Sequence, residues 1–159
     1  ISAIHGAAAG LGLSIALATD HLIADSESKV AMNFIGIGLI PDGGGHFFLE
    51  RRLGEVGAKE LIWEGKVLTA HEAKEKGLIH EVVEGSLEQA VEKKVQIWLK
   101  SPVQAMIKTK KILSEKNRPL LIKMLEIEKA AQMKMRQTAD HQEGIKAFVE
   151  KRRPNFIGK

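Results

Sequence analysis

The chain has 159 residues, which is enough for one domain but not for two of ordinary size. Hydrophobic residues make up 44% and charged residues 28%, a balance typical of globular proteins. The absence of cysteine excludes disulfides, thiolate nucleophiles and cysteine-based zinc sites. The formal net charge is only +4 and aromatic residues are 4%, so nucleic acid is not an expected partner. No apolar stretch reaches the about 20 residues that a membrane span needs.

Residues 1–50 are rich in glycine and small apolar side chains. Apolar runs predict short strands over residues 1–4, 20–24 and 29–32, separated by glycine-containing turns. Leu11–Ala18 carries no charge, and its composition predicts a helix that is buried on all sides. Because a strand is predicted at the first residue, we expect the chain to be the C-terminal part of a longer protein.

Residues 51–159 are highly charged and show mostly helical periodicity. Capping boxes are predicted where Thr69 and Ser86 precede Glu72 and Gln89 by three positions. Residues 78–83 predict one more strand. Helices are predicted to begin at Gly45, Gly54, Thr69, Ser86, Ser101, Pro119 and Thr138.

Apolar faces of these helices indicate which side is buried. In the helix that begins at Gly54, the predicted buried residues are Val56, Leu61 and Ile62. The last three helices carry more apolar side chains than one small domain can bury. We therefore expect them to pack against neighbouring subunits.

Several common functional motifs are absent. Gly10-Leu-Gly12 precedes a helix, but Ile15 stands where a dinucleotide-binding loop needs its third glycine, and tight helix packing explains the glycines equally well. The histidines lack metal-ligand spacing, and no G-x-S-x-G motif is present. The lysine-rich run over residues 108–116 is best explained as a solvated helix face.

Asp42 is the candidate catalytic side chain. It lies in the loop Ile40-Pro-Asp-Gly-Gly-Gly45, and Pro-Asp-Gly is also a common turn former. Apolar residues 34–40 precede Asp42, and Phe47 and Phe48 follow it. A carboxylate in such surroundings is shielded from water, which would make it a competent general base.

Several ordered segments across essentially the whole chain closely resemble the enoyl-CoA hydratase/isomerase (crotonase) superfamily. The segments are ISAIHGAAAGLG (1–12), ALATD with LIA (16–24), GIGLIPDGGG (36–45), LTAHEAKEKGLI (68–79) and EGIKAFVEKRRPNF (143–156).

The resemblance implies an α/β fold with a crotonase-type spiral of ββα turns. Residues 1–85 would form the later turns of that spiral, and residues 86–159 would form a helical trimerisation region. It also implies a homotrimer or hexamer and a substrate carried as a coenzyme A thioester. Metals, further cofactors, nucleic acid and membranes are not expected. We expect a cytoplasmic protein of fatty acid metabolism.

The resemblance also assigns site residues by position. The backbone N–H of Leu11 would be an oxyanion donor, and Gly10 and Gly12 would let the thioester approach the bare backbone. The two glutamates that deliver water in hydratases of the family fall on Ser14 and Phe34, and neither residue can do a carboxylate's work.

Two further residues match positions that bind coenzyme A from a neighbouring subunit. Phe148 would contact the adenine and Lys151 the phosphate. The alternative is that Phe148 is ordinary core and Lys151 an ordinary solvated helix residue.

These features predict an acyl-CoA double-bond isomerase, of the Δ3–Δ2, dienoyl or ring-bearing type, with Asp42 as its single base. A double-bond shift needs a proton removed at one carbon and returned further along on the same face, without water. One alternative is a hydratase or another crotonase reaction that uses residues outside this chain. Another is a non-catalytic assembly module.

Overall fold

A computed structural model describes all 159 residues of the chain. Its strands are β1 (Ser2–Ile4), β2 (Ala7–Ala9), β3 (Leu22–Asp25), β4 (Lys29–Ala31), β5 (Val67–Thr69) and β6 (Glu81–Val83). Its α-helices are α1 (Leu11–Leu17), α2 (Gly45–Glu64), α3 (Ala70–Glu75), α4 (Leu87–Leu99), α5 (Val103–Met135) and α6 (Ala139–Val149). A 3-10 helix spans Asn33–Ile37.

The strands form two small sheets of three strands each. One sheet has the order β1-β3-β6 and is entirely parallel, with Ile4 opposite Ala24 and Ala24 opposite Val82. In the other, β2 pairs with β4 in parallel, and β5 adds to β4 antiparallel. Two strands followed by a helix therefore recur along the chain, and the predicted α/β class is confirmed.

The core lies between the two sheets and the first three α-helices. Its fully buried side chains come from strands, helices and the segment before the 3-10 helix, and they include Leu13, Leu22, Met32, Leu49, Leu68 and Leu78. Burial of this apolar surface against α1 and α2 fixes where the loops between the elements must lie.

The prediction that α1 is buried on all sides is wrong. Leu13, Ser14 and Leu17 are buried, but Leu11 is 47% exposed and Ile15 is 60% exposed. The helix packs mainly on α2 and β2. Its other face has too few neighbours in this chain to be covered.

The break predicted at Gly54 is confirmed as a kink inside α2, where the glycine has φ 69° and ψ 171°. Leu61 and Ile62 are buried as predicted, but Val56 is 81% exposed. Val56 precedes Leu61 by five residues, and at about 100° per residue the two side chains point about 140° apart around the helix. The prediction that Val56 is buried is therefore wrong.

The prediction of separate helices starting at Ser101 and Pro119 is also wrong. Helix α5 runs unbroken through Pro119. Pro102 is its N-cap residue, and the first helical residue is Val103. Proline removes one N–H donor and frees one carbonyl. Pro119 is exposed, so water can hydrate the freed carbonyl and the helix continues.

The predicted helix caps are largely confirmed. Thr69 Oγ1 accepts from the Glu72 N–H at 3.2 Å, and Glu72 Oε2 accepts from the Thr69 N–H at 2.8 Å, which completes the capping box. Ser86 makes only the first half of its box, by accepting from the Gln89 N–H. Thr138 accepts from the His141 N–H at 3.1 Å and starts α6.

Helices α5 and α6 expose many large apolar side chains, as the sequence predicts, and α4 exposes two more. They are Ile97, Leu99, Met106, Ile107, Ile112, Leu113, Leu120, Ile122, Leu125, Ile127, Met133, Ile145, Phe148 and Val149. Their burial against other subunits stays a prediction, as does the boundary between residues 85 and 86. None of the helices combines the length and apolarity that crossing a bilayer requires.

Candidate functional site

The loop that carries Asp42 connects the 3-10 helix to α2 and is anchored on α1. The backbone carbonyl of Asp42 accepts from Ser14 Oγ at 2.8 Å and from the Gly45 N–H at 3.1 Å. Ser14 lies on α1 and is fully buried, so this hydroxyl needs an internal partner. The bond fixes Asp42 beside the first half of α1.

The glycines after Asp42 are required by the path of the loop. Gly43 and Gly44 have φ values of 65° and 82°, a region that side chains rarely adopt. A Cβ on Gly43 would also collide with Cδ1 of Leu11. The loop therefore passes directly against the residue that begins α1.

The Asp42 carboxylate is held by one oxygen only. Oδ2 accepts from Gln132 Nε2 at 3.3 Å, whereas Oδ1 is buried and has no hydrogen-bond partner. A buried acceptor without a partner costs about 1–3 kcal/mol. An oxygen without a hydrogen-bond partner is available to accept a proton. The predicted shielding of Asp42 from water is seen at this atom.

The start of α1 supplies free backbone N–H groups. The Leu11 N–H is in the first turn, where no intrahelical acceptor exists. Gly10 has φ 54° and its N–H donates to the Ala31 carbonyl at 2.9 Å, which ties the helix start to β4. Gly12 lines an open cleft of about 260 Å³.

Phe34 lies over the same helix start. A Cβ on Gly10 would be 3.3 Å from the Phe34 ring. The structure thus gathers Gly10, Leu11 and Gly12 with Phe34, and it brings the Asp42 loop against Leu11. Five of the predicted site residues are in one region of the molecule.

The other two predicted residues are at the end of α6. Phe148 is 76% exposed, so its interpretation as ordinary core is wrong. Lys151 follows the helix, is exposed, and has φ 53°. Contact with coenzyme A stays a prediction for both residues.

Two residues that the sequence analysis did not single out hold the Asp42 loop from the other side. Glu128 and Gln132 of α5 are only 2% and 5% exposed. The sequence does contain a signal. With Leu121, Met124 and Met135, they occupy the inward stripe of α5, where a carboxylate is unusual.

A larger groove of about 1210 Å³ lies between α1, α2, α4 and the first half of α5. Its lining includes Phe47, Arg51, Trp98 and Leu113, but none of the predicted site residues. The candidate site residues therefore lie outside the largest groove described for this chain.

A separate cluster of titratable groups lies away from Asp42, beside β3 and β6. His21 Nε2 lies 3.1 Å from Glu81 Oε1, and the His21 and His80 rings stack at 4.5 Å. Burial, with the nearby His21, holds the pKa of His80 below its usual value of 6.5. No group of three or more histidine or acidic side chains comes together as metal ligands would.

Comparison with known proteins decides the family. The family model described as enoyl-CoA hydratase/isomerase matches residues 1–159. The chain belongs to the enoyl-CoA hydratase/isomerase family. YhaR of Bacillus subtilis, named for the same family, is 52% identical over 98% of this chain and 61% of YhaR.

Among further relatives of the chain, some are named hydratases and others isomerases. The 1,2-epoxyphenylacetyl-CoA isomerase of Escherichia coli is 34% identical over 100% of this chain and 61% of its own length. An enoyl-CoA hydratase structure from Mycobacterium avium subsp. paratuberculosis superimposes with a TM-score of 0.88 at 33% identity. That match covers 96% of this chain and 62% of the other.

The chain thus shares the crotonase fold, as its sequence motifs indicate. It spans about three fifths of the length of the relatives it matches. The family is named for reactions of enoyl-CoA, and the geometry of the site bears on which of these reactions the chain can support.

Proposed function

We propose that the protein containing this chain is an acyl-CoA double-bond isomerase, with Asp42 as its single acid–base residue. The observation that carries the proposal is the buried Oδ1 of Asp42, which has no partner within the chain. The next residue of the loop, Gly43, lies against Leu11, and an acceptor without a partner in this loop is suited to take a proton from a bound thioester and return it.

The proposed reaction uses this oxygen and the backbone donor at Leu11. Asp42 Oδ1 takes the proton from the carbon next to the thioester carbonyl, and the C–H electron pair forms a dienolate. The Leu11 N–H donates to the oxygen on which negative charge develops, and the helix dipole of α1 adds to that effect. The same proton then moves to the far carbon of the dienolate, and the double bond is left in its new position.

The packing at Ser14 supports isomerisation over water addition. Ser14 stands where the resemblance places a hydratase glutamate, yet it is fully buried and bonded to the Asp42 carbonyl. A Cβ on Gly45 would already be 2.9 Å from Ser14 Oγ. A glutamate side chain at position 14 would displace the Asp42 loop, so this arrangement suits a single carboxylate.

Phe34 supports the same proposal. It stands at the second glutamate position, and its ring covers Gly10 at the helix start. An aromatic ring in that place excludes water from the developing dienolate. We further propose that the substrate is held as a coenzyme A thioester, with Phe148 and Lys151 contacting its nucleotide end, in a cytoplasmic trimer or hexamer.

The test separates double-bond movement from water addition. The protein is incubated with 3-enoyl-CoA and with 2-enoyl-CoA, and double-bond position and water uptake are followed independently. Asp42→Asn is expected to lower isomerase turnover at least about a hundredfold, which is the lower scale for losing a general base. Thermal stability should change little.

The matched control is Asp20→Asn, which makes the same change at an exposed residue of the loop after α1. It should leave turnover unchanged. Unaltered turnover in Asp42→Asn would refute the proposed mechanism. Water addition to 2-enoyl-CoA without any double-bond shift would instead identify a hydratase that draws its carboxylates from outside this chain.

A further inference from the structure

Helix α5 presents two buried polar side chains to the Asp42 loop. Glu128 and Gln132 are four residues apart, so they lie one above the other on the same face of the helix. Both reach across 82 or more positions in sequence to residues of the loop. Polar side chains are rarely buried to this extent unless they are paired, and here every polar side-chain atom of both residues has a partner in the loop or at the start of α2.

Glu128 binds the loop on the C-terminal side of Asp42. Its Oε2 accepts from the Gly44 N–H at 2.7 Å. Its Oε1 accepts from the His46 N–H at 3.1 Å and lies 2.8 Å from His46 Nδ1. Because these donors belong to the start of α2, the carboxylate also fixes where that helix begins.

Gln132 binds the loop on the N-terminal side of Asp42. Its amide pairs with both backbone groups of Ile40, donating to the carbonyl at 3.0 Å and accepting from the N–H at 3.4 Å. The same Nε2 lies 3.3 Å from Asp42 Oδ2. One amide therefore fixes both the backbone of the loop and one oxygen of the carboxylate.

We propose that Glu128 and Gln132 are positioning residues that set which oxygen of Asp42 carries the proton. This inference rests on the proposed isomerase function. With Oδ2 bound to Gln132, Oδ1 is the carboxylate oxygen that has no partner and is left to take the proton. Because Glu128 and Gln132 hold the loop on both sides of Asp42, this oxygen keeps its position from the removal of the proton to its return.

The pair should therefore act on the chemical step and not on substrate affinity. Both side chains bind only the loop and the start of α2, and neither is among the predicted substrate-binding residues, so their loss leaves those residues in place. Without Gln132, the carboxylate is free to rotate about its Cβ–Cγ bond. A protonated oxygen that rotates towards water exchanges its proton before returning it.

The experiment follows one labelled hydrogen. A 3-enoyl-CoA deuterated next to the thioester is isomerised in ordinary water, and mass spectrometry measures the deuterium that reaches the far carbon. Gln132→Met keeps side-chain length but removes the amide, and Gln137→Met makes the same change at an exposed position just after α5. Glu128→Gln serves as the second variant if Gln132→Met does not fold.

We expect Gln132→Met to lower kcat about tenfold or more, the scale of a modest misplacement of reacting groups, with KM nearly unchanged. Deuterium transfer should fall well below that of the wild type. Glu128→Gln should lower kcat in the same way while retaining more transfer, because Gln132 still holds Oδ2. Gln137→Met should match the wild type.

The proposal and the isomerase function can fail separately. If Asp42→Asn abolishes isomerisation but Gln132→Met matches Gln137→Met in kcat and deuterium transfer, the positioning role is overturned and the function stands. A wild type that isomerises without any deuterium transfer also overturns the positioning role. If the wild type moves no double bond, or Asp42→Asn still does, the function fails and the positioning role fails with it.

Discussion

Gly144→Ala should destabilise the protein although alanine is the better helix former. Gly144 lies inside α6, and a Cβ there would be 2.7 Å from both Cα and the carbonyl carbon of Ile37, and 3.0 Å from its oxygen. These are backbone atoms of the 3-10 helix that carries Phe34, and they cannot rotate away. The alanine would force α6 off that helix.

The magnitude follows from two opposing effects. Alanine in place of glycine favours a helix interior by about 1 kcal/mol. Overpacking a tight contact costs about 1–3 kcal/mol or more, and the upper end applies because backbone atoms meet the new methyl group. The expected result is a net loss of about 1–2 kcal/mol in the free energy of unfolding.

Urea unfolding, followed by circular dichroism, measures this difference. Gly12→Ala is the matched control, because Gly12 is also helical but a Cβ there meets no atom within 4 Å. It should leave stability unchanged or raise it by up to about 1 kcal/mol. A Gly144→Ala protein as stable as the wild type would refute the close contact between α6 and the 3-10 helix.

Two further changes test local features. Thr69→Ala removes the hydroxyl that caps α3 and should lower the free energy of unfolding by about 1 kcal/mol, whereas Thr69→Ser should retain it; equal losses would contradict the cap. Hydrogen bonds from Arg152 and the Asn155 N–H lower the pKa of Glu143 from 4.5 to about 2. The stabilisation that these hydrogen bonds give to the folded protein is complete above about pH 4.5 and is lost as pH falls towards 2. Glu143→Gln should flatten this part of a urea-unfolding profile measured from pH 5 to pH 2, and an unchanged slope would argue against the ion pair.

Features that depend on neighbouring residues could be predicted from the sequence. The cap at Thr69 depends on a residue three positions later, and the kink at Gly54 depends on a glycine that can adopt a positive φ. The capping of α6 by Thr138 was predictable for the same reason. In each case the physical cause lies within one turn of helix.

Features that depend on distant contacts were not predictable in the same way. Proline usually ends a helix, and whether α5 continues through Pro119 depends on exposure that the sequence does not show. Likewise, the exposed face of α1 reflects which elements happen to pack on it. The last predicted strand is shorter than expected, spanning residues 81–83, because only those residues pair with β3.

The candidate site falls between these two cases. Apolar neighbours in sequence indicated that Asp42 is shielded, and family motifs indicated that Leu11 lies near it. The unpartnered Oδ1 and the bond from Gln132 to Oδ2 depend on a helix about 90 residues further along the chain. Neither could be obtained from spacing alone.

The four-residue spacing of Glu128 and Gln132 limits how the length of α5 can change in evolution. A single insertion between them would turn the second side chain by about 100° and carry it away from the loop. Insertions or deletions before Val103 or after Met135 leave the angle between these two side chains unchanged. Homologues that keep an acid in the loop should therefore vary in length around this helix but not between these two positions.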